Sequence, residues 1–102
     1  MNKITIKTSD KVEVTREQAR AIEEGKQYYM IMADNAPKRV KELTNGNKEE
    51  FARLQFVGTQ FAINNGDLAP WSGLFKPLNS MSADELNRAI LKGYVVKEGA
   101  EL

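Results

Sequence analysis

Apolar and polar positions alternate at the start of the chain. Ile4 and Ile6 interleave with Lys3, Thr5 and Lys7. After the polar stretch Thr8-Ser9-Asp10, Val12 and Val14 interleave with Lys11 and Glu13. A period of two on both sides of a short turn predicts a β-hairpin with one buried face. Thr15 then reads as a helix N-cap, with Gln18 three residues on as its capping-box partner and Val14 and Ala19 at the staple positions. Ala19 and Ile22 line the inner face of that helix, and Gly25 stands where a helix commonly closes.

Residues 27–33 form an apolar run too short for its period to separate strand from helix. Tyr29, Met30 and Ala33 have helical spacing, so the first helix has the option of running through Gly25 at a cost of about 1 kcal/mol. The Met content tilts the reading toward helix. Asn35 or Asp34 caps a following helix with Pro37 in its first turn, Val40 and Leu43 facing inward and Asn45-Gly46 ending it. From Phe51 the texture changes. Leu54 and Phe56 alternate, Gly58-Thr59 suits a two-residue turn, and Phe61 and Ile63 alternate beyond it, which predicts a second hairpin. A turn-rich loop follows from Asn65 to Gly73. Ser82 and Glu85 make a capping box ahead of the stripe Leu86, Ala89 and Ile90; Gly93 ends that helix, and Val95 and Val96 suit a short strand. The expected architecture is α+β: one small domain over residues 1–102, with short antiparallel hairpins packed on two or three helices.

Composition narrows the chemistry. The 102 residues include no histidine and no cysteine. That excludes Cys–His and Ser–His–Asp centres, zinc fingers, CxxC redox motifs and disulfides. Fifteen basic residues stand against fourteen acidic ones. A net charge of +1 supplies no global field toward nucleic acid or membrane. No apolar run approaches the roughly 18–20 residues of a membrane span. Met1-Asn2-Lys3 leads directly into the first alternation without a signal-peptide apolar region. The expectation is a cytoplasmic protein with no cofactor and no metal.

The segment Val12-Glu13-Val14-Thr15-Arg16-Glu17-Gln18-Ala19-Arg20-Ala21-Ile22-Glu23 resembles the strand-then-helix opening of small uncharacterised proteins from phages and prophages of Gram-positive bacteria. The closing stretch Met81-Ser82-Ala83-Asp84-Glu85-Leu86, with Ala89, Gly93 and Tyr94, is similar to the ends of such proteins. The stretch around Phe56, Phe61, Ile63 and Asn64 matches the short hairpin between them. Relative to that pattern the chain carries an insertion at about residues 25–50. The resemblance implies a phage origin and transfers no catalytic residue.

Candidate sites are few. Glu23-Glu24, Glu49-Glu50 and Asp84-Glu85 are adjacent acidic pairs, but helix neighbours point about 100° apart, which separates them. Gly58, Gly66 and Gly73 form no phosphate loop. Lys38, Arg39 and Lys41, with Arg53 further along, make a basic cluster suited to phosphate contact, or simply a solvated helix face. The Leu68–Phe75 loop carries the sole tryptophan. Trp71 with Leu74 and Phe75 is hot-spot material for a protein interface, or a flap over the second hairpin. Tyr28 and Tyr29 open a Met-rich run that suits an adaptable contact surface or plain core.

The sequence therefore leads to the expectation of a non-enzymatic phage accessory protein that binds a host or phage protein. Its sharper form is an inhibitor of a host enzyme or host defence system. The alternative is a nucleic-acid-binding accessory or regulatory protein using the 38–41 helix. A homo-oligomer is compatible with either.

Overall fold

The computed structural model describes residues 11–43 and 45–97. The order of elements is β1 (Val12–Val14), α1 (Arg16–Asp34), α2 (Lys38–Leu43), α3 (Lys48–Asn64), a 3₁₀ segment (Gly73–Ser80), α4 (Ala83–Lys92) and β2 (Tyr94–Val96). This is a helical domain. Its sheet is one parallel pair, Val12 opposite Tyr94 and Val14 opposite Val96, extended by Lys97 N donating to Val14 O at 2.8 Å.

The expected α+β fold with antiparallel hairpins is therefore corrected. The Ile4–Ile6 arm of the first hairpin lies outside the described residues, as do the inward-facing side chains expected at Val40 and Leu43. The Val12–Val14 arm is a strand, but it pairs in parallel with β2. The second hairpin does not exist: residues 48–64 are one continuous helix. The alternation that suggested strands is incidental, because burial follows the helical spacing Ala52, Phe56 and Gln60 instead. Leu54 and Phe61, which a hairpin would have placed with Phe56, point to solvent. Gly58 has no positive φ and makes no turn. Asn47 starts the helix as its N-cap, its Oδ1 accepting from Glu50 N at 2.9 Å.

Local capping signals elsewhere hold. Gln18 N donates to Thr15 Oγ1 at 3.0 Å while Thr15 N donates to Gln18 Oε1 at 2.9 Å. Ser82 and Glu85 repeat that reciprocal pair on α4. Asn45 and Gly46 take positive φ values after α2, and Gly46 N donates to Lys41 O at 2.9 Å. Gly93, at φ 91°, ends α4 and turns the chain into β2.

The open question at residues 26–34 resolves as helix. α1 passes through Gly25 because its helical row Ala21, Gly25, Tyr29 and Ala33 is the buried face. Gly25 permits a close approach of α3 to α1. A Cβ built there would lie 2.2 Å from Phe56 Cζ, so the α3 phenyl ring rests on the α1 backbone. Ile22, Phe56, Leu78 and Leu86 fill the centre where α1, α3, the 3₁₀ segment and α4 meet.

Gly25→Ala should thus behave oppositely to an ordinary helix substitution. The gain in helix propensity is about 1 kcal/mol, but overpacking against Phe56 costs typically 1–3 kcal/mol and occasionally more. Urea denaturation should show net destabilisation; a stabilised variant would mean the ring shifts freely.

Candidate interaction surface

The segment from Gly66 to Ser82 has one regular element, the 3₁₀ segment Gly73–Ser80, and side-chain amides hold it in place. Gln60, fully buried on α3, donates from Nε2 to Leu78 O at 3.1 Å and to Met81 O at 2.9 Å. Its Oε1 accepts from Trp71 Nε1 at 2.8 Å. Both amide protons and the carbonyl of Gln60 are therefore used. Asn79 brackets the backbone of Trp71, accepting from its N–H at 2.8 Å and donating to its carbonyl at 3.0 Å. Asn64 donates to Met81 O and accepts from Ala83 N. Gln18, besides capping α1, donates to Pro77 O and Ser80 Oγ.

These bonds set the position of an aromatic cluster. Phe56 stacks on Tyr29, with centroids 5.1 Å apart and planes 20° from parallel. Trp71 meets Phe56 edge-on at 6.1 Å and Phe75 at 5.3 Å. Phe75 approaches Tyr28 at 6.3 Å, and Tyr28 sits edge-on to Tyr29 at 5.0 Å. Two candidates far apart in sequence, the Trp71–Phe75 loop and the Tyr28-Tyr29 pair, are one contiguous group in space.

Within that group the residues differ in exposure. Tyr29 is buried, with its hydroxyl 3.5 Å from Thr59 Oγ1. Trp71 and Phe75 are half-buried against the core. Tyr28 and Leu74 are exposed. The same flank of α1 continues through Ile31, 60% exposed, and Met32. These two open onto a groove shared with Ala36, Pro37 and Phe51. Tyr28, Ile31 and Met32 follow the i, i+3, i+4 spacing of one helix face.

The basic candidates do not form one patch. Lys38 and Arg39 are exposed on α2, and Lys41 is half-buried at its end. Arg53 belongs elsewhere: it donates to Asn87 Oδ1 of α4 at 2.9 Å and pairs with Glu50 at 3.6 Å. Lys48, next along the chain from the cluster, binds Asp34 at 2.6 Å, and that hydrogen bond and charge hold its ammonium above the usual lysine range. The acidic pairs are separated in role. Glu85 caps α4 while Asp84 pairs with Arg88, and Glu23 binds Lys26 and the Tyr94 hydroxyl. Among the described residues, no three acidic side chains converge as a metal site, and no helix is long and apolar enough to cross a membrane. Compared with known proteins, the chain matches no family model, no curated protein and no solved structure.

Tyr94 stands apart chemically. Its hydroxyl donates to Glu23 Oε2 at 2.6 Å. Burial first, then the hydrogen bond and charge of Glu23, push its pKa up to about 12. The folded state thus favours the neutral phenol. This contribution to stability is complete below the ordinary tyrosine value near 10 and is lost as pH rises toward about 12. Absorbance titration at alkaline pH should show a tyrosine ionising near pH 12 that Tyr94→Phe removes; an unchanged titration curve would refute the assignment.

Gln60→Leu tests the amide clamp. It adds apolar surface to the core but strands the Trp71 indole N–H. It also takes one of two partners from the Leu78 and Met81 carbonyls, which keep Met81 N and Asn64 Nδ2. An unpaired buried donor costs about 1–3 kcal/mol, so a net loss on the order of 1–3 kcal/mol is expected in denaturant titration. A neutral result would mean that the indole N–H finds another partner.

Proposed function

We propose that this protein acts without catalysis, by binding another protein through the exposed flank of α1 and the adjoining Leu74 and Phe75. The observation that carries the reading is the exposure of Tyr28, Ile31 and Met32 along one flank of α1, with exposed Leu74 next in the chain to the Phe75 that meets Tyr28. It is backed by rings that touch one another from Tyr28 to Phe56. Aromatic side chains on a rigid support make strong interface anchors, because little rotamer freedom is lost on binding, and Met adapts its shape to the partner surface. The resemblance of the chain's two ends to phage and prophage proteins supports a partner in a Gram-positive host cell, with inhibition of a host enzyme or host defence system as the specific form. The cytoplasm of that host is the compartment this reading assigns.

Ile31→Asp places a charge on a side chain already in solvent, so the fold should persist. Loss of partner capture from host lysate by at least about 30-fold in affinity, the hot-spot scale of about 2 kcal/mol, is the expected outcome. Capture should be insensitive to Lys38→Glu and Arg39→Glu. Steeply salt-dependent retention on nucleic acid, abolished by those two charge reversals and untouched by Ile31→Asp, would overturn this reading in favour of nucleic-acid binding.

A further inference from the structure

α1 and α3 each carry a glycine in mid-helix, and only one is explained within the chain. Gly25 makes room for the Phe56 ring, whereas a Cβ on Gly58 would meet nothing within 4 Å. A mid-helix glycine weakens a helix relative to alanine, and its common use is to let another backbone approach closely. Gly58 lies at the centre of an apolar stripe formed by Leu54, 47% exposed, half-buried Val57 and Phe61, 58% exposed. At roughly 100° per residue this stripe points away from the buried row of Ala52, Phe56 and Gln60.

The stripe is one wall of a groove whose other wall is the first part of α4. The charges of that groove sit at opposite ends. Arg53 lies at the Leu54 end, where it binds Asn87. Asp84 lies at the Phe61 end, because Ala83 N donates to Asn64 Oδ1 near the close of α3. Arg53 also pairs with Glu50 and Asp84 with Arg88, but Arg53 and Asp84 are the charged residues that line the groove itself. One base and one acid at its opposite ends make a surface complementary to itself after a two-fold rotation.

We infer that the outer face of α3 is the contact surface of a two-fold symmetric dimer of this chain, with Gly58 at the axis. In an antiparallel pairing centred there, Leu54 of one copy faces Phe61 of the partner copy. Arg53 of one copy then faces Asp84 of the partner copy. The missing side chain at Gly58 allows the two α3 backbones to come near the lower end of the usual 8–10 Å helix separation. A charged partner such as nucleic acid or an acidic peptide finds no matching field here, since the two groove charges cancel. This surface is on a different helix from the flank of α1 proposed to bind another protein, and the two stand or fall separately.

The absence of native cysteine allows a direct test on the full chain. Gly58→Cys should cross-link to a covalent dimer under oxidised glutathione, whereas Leu91→Cys, likewise at an exposed position but on α4, should remain monomeric at the same concentration. Sedimentation of the unmodified chain at about 100 μM should give twice the monomer mass. Gly58→Leu and Phe61→Glu should each return it to the monomer with an unchanged far-UV spectrum. A monomer at that concentration, equal cross-linking of both cysteine variants, or a dimer that survives both disrupting substitutions would overturn the inference.

Discussion

A single carboxamide organises half of this domain. Gln60 sits where α3 would otherwise present an apolar side chain. An unpaired amide so deep in the core would cost several kcal/mol. Its cost is offset because the segment after α3 supplies two carbonyls and an indole N–H at hydrogen-bonding distance. Those groups face the same problem: Leu78 is fully buried and Met81 nearly so, and besides Gln60 their carbonyls have one further donor each, Met81 N and Asn64 Nδ2. Each side thus solves the other's desolvation, which ties one path of the 66–82 segment to one register of α3. An apolar residue at position 60 would permit many paths; the amide permits one.

The path so chosen has consequences across the molecule. Leu78 and Met81 are drawn into the core beside Ile22 and Leu86, which seats the 3₁₀ segment against α1. Trp71 is held at both its indole and its backbone, so Phe75 is brought up to Tyr28. The Gly25–Phe56 contact acts from the opposite direction, bringing α1 close enough to α3 for Tyr29 to stack on the same phenyl ring. The exposed flank of α1 is therefore supported by packed rings rather than by a mobile loop, and that rigidity is what turns an exposed Tyr or Ile into a useful anchor.

What was legible in the sequence was local. The reciprocal caps at Thr15 and Ser82, and the left-handed turn at Asn45-Gly46, depend on residues a few positions apart, and their signatures are specific. α3 was misread because Leu54, Phe56, Phe61 and Ile63 satisfy a period of two as well as a helix with two apolar faces. Burial alone distinguishes these, and burial is a tertiary property. The partner of β1 was illegible for a related reason: it lies some eighty residues away, and nothing in Val12-Glu13-Val14 encodes that distance. The aromatic candidates Trp71, Phe75, Tyr28 and Tyr29 were visible individually, but their convergence depends on Gln60, a residue whose type normally signals solvent.

Exposed apolar residues are common on any protein surface and scattered ones need no explanation. Here they fall into two kinds. Leu68 in the loop after α3, Leu91 on α4 and Val95 on β2 are exposed singly. Tyr28, Ile31 and Met32 on α1, and Leu54 and Phe61 on α3, instead repeat at helical spacing, so that each set forms a stripe. A helix apolar on one face needs only the core; a helix apolar on two needs a second surface to cover the other. Both long helices of this domain are of the second type, and they meet their shared core at the one glycine that lets Phe56 in. The core thus saturates the inner faces of α1 and α3, and their outer stripes, left in solvent, are the surfaces on which both proposed associations rest.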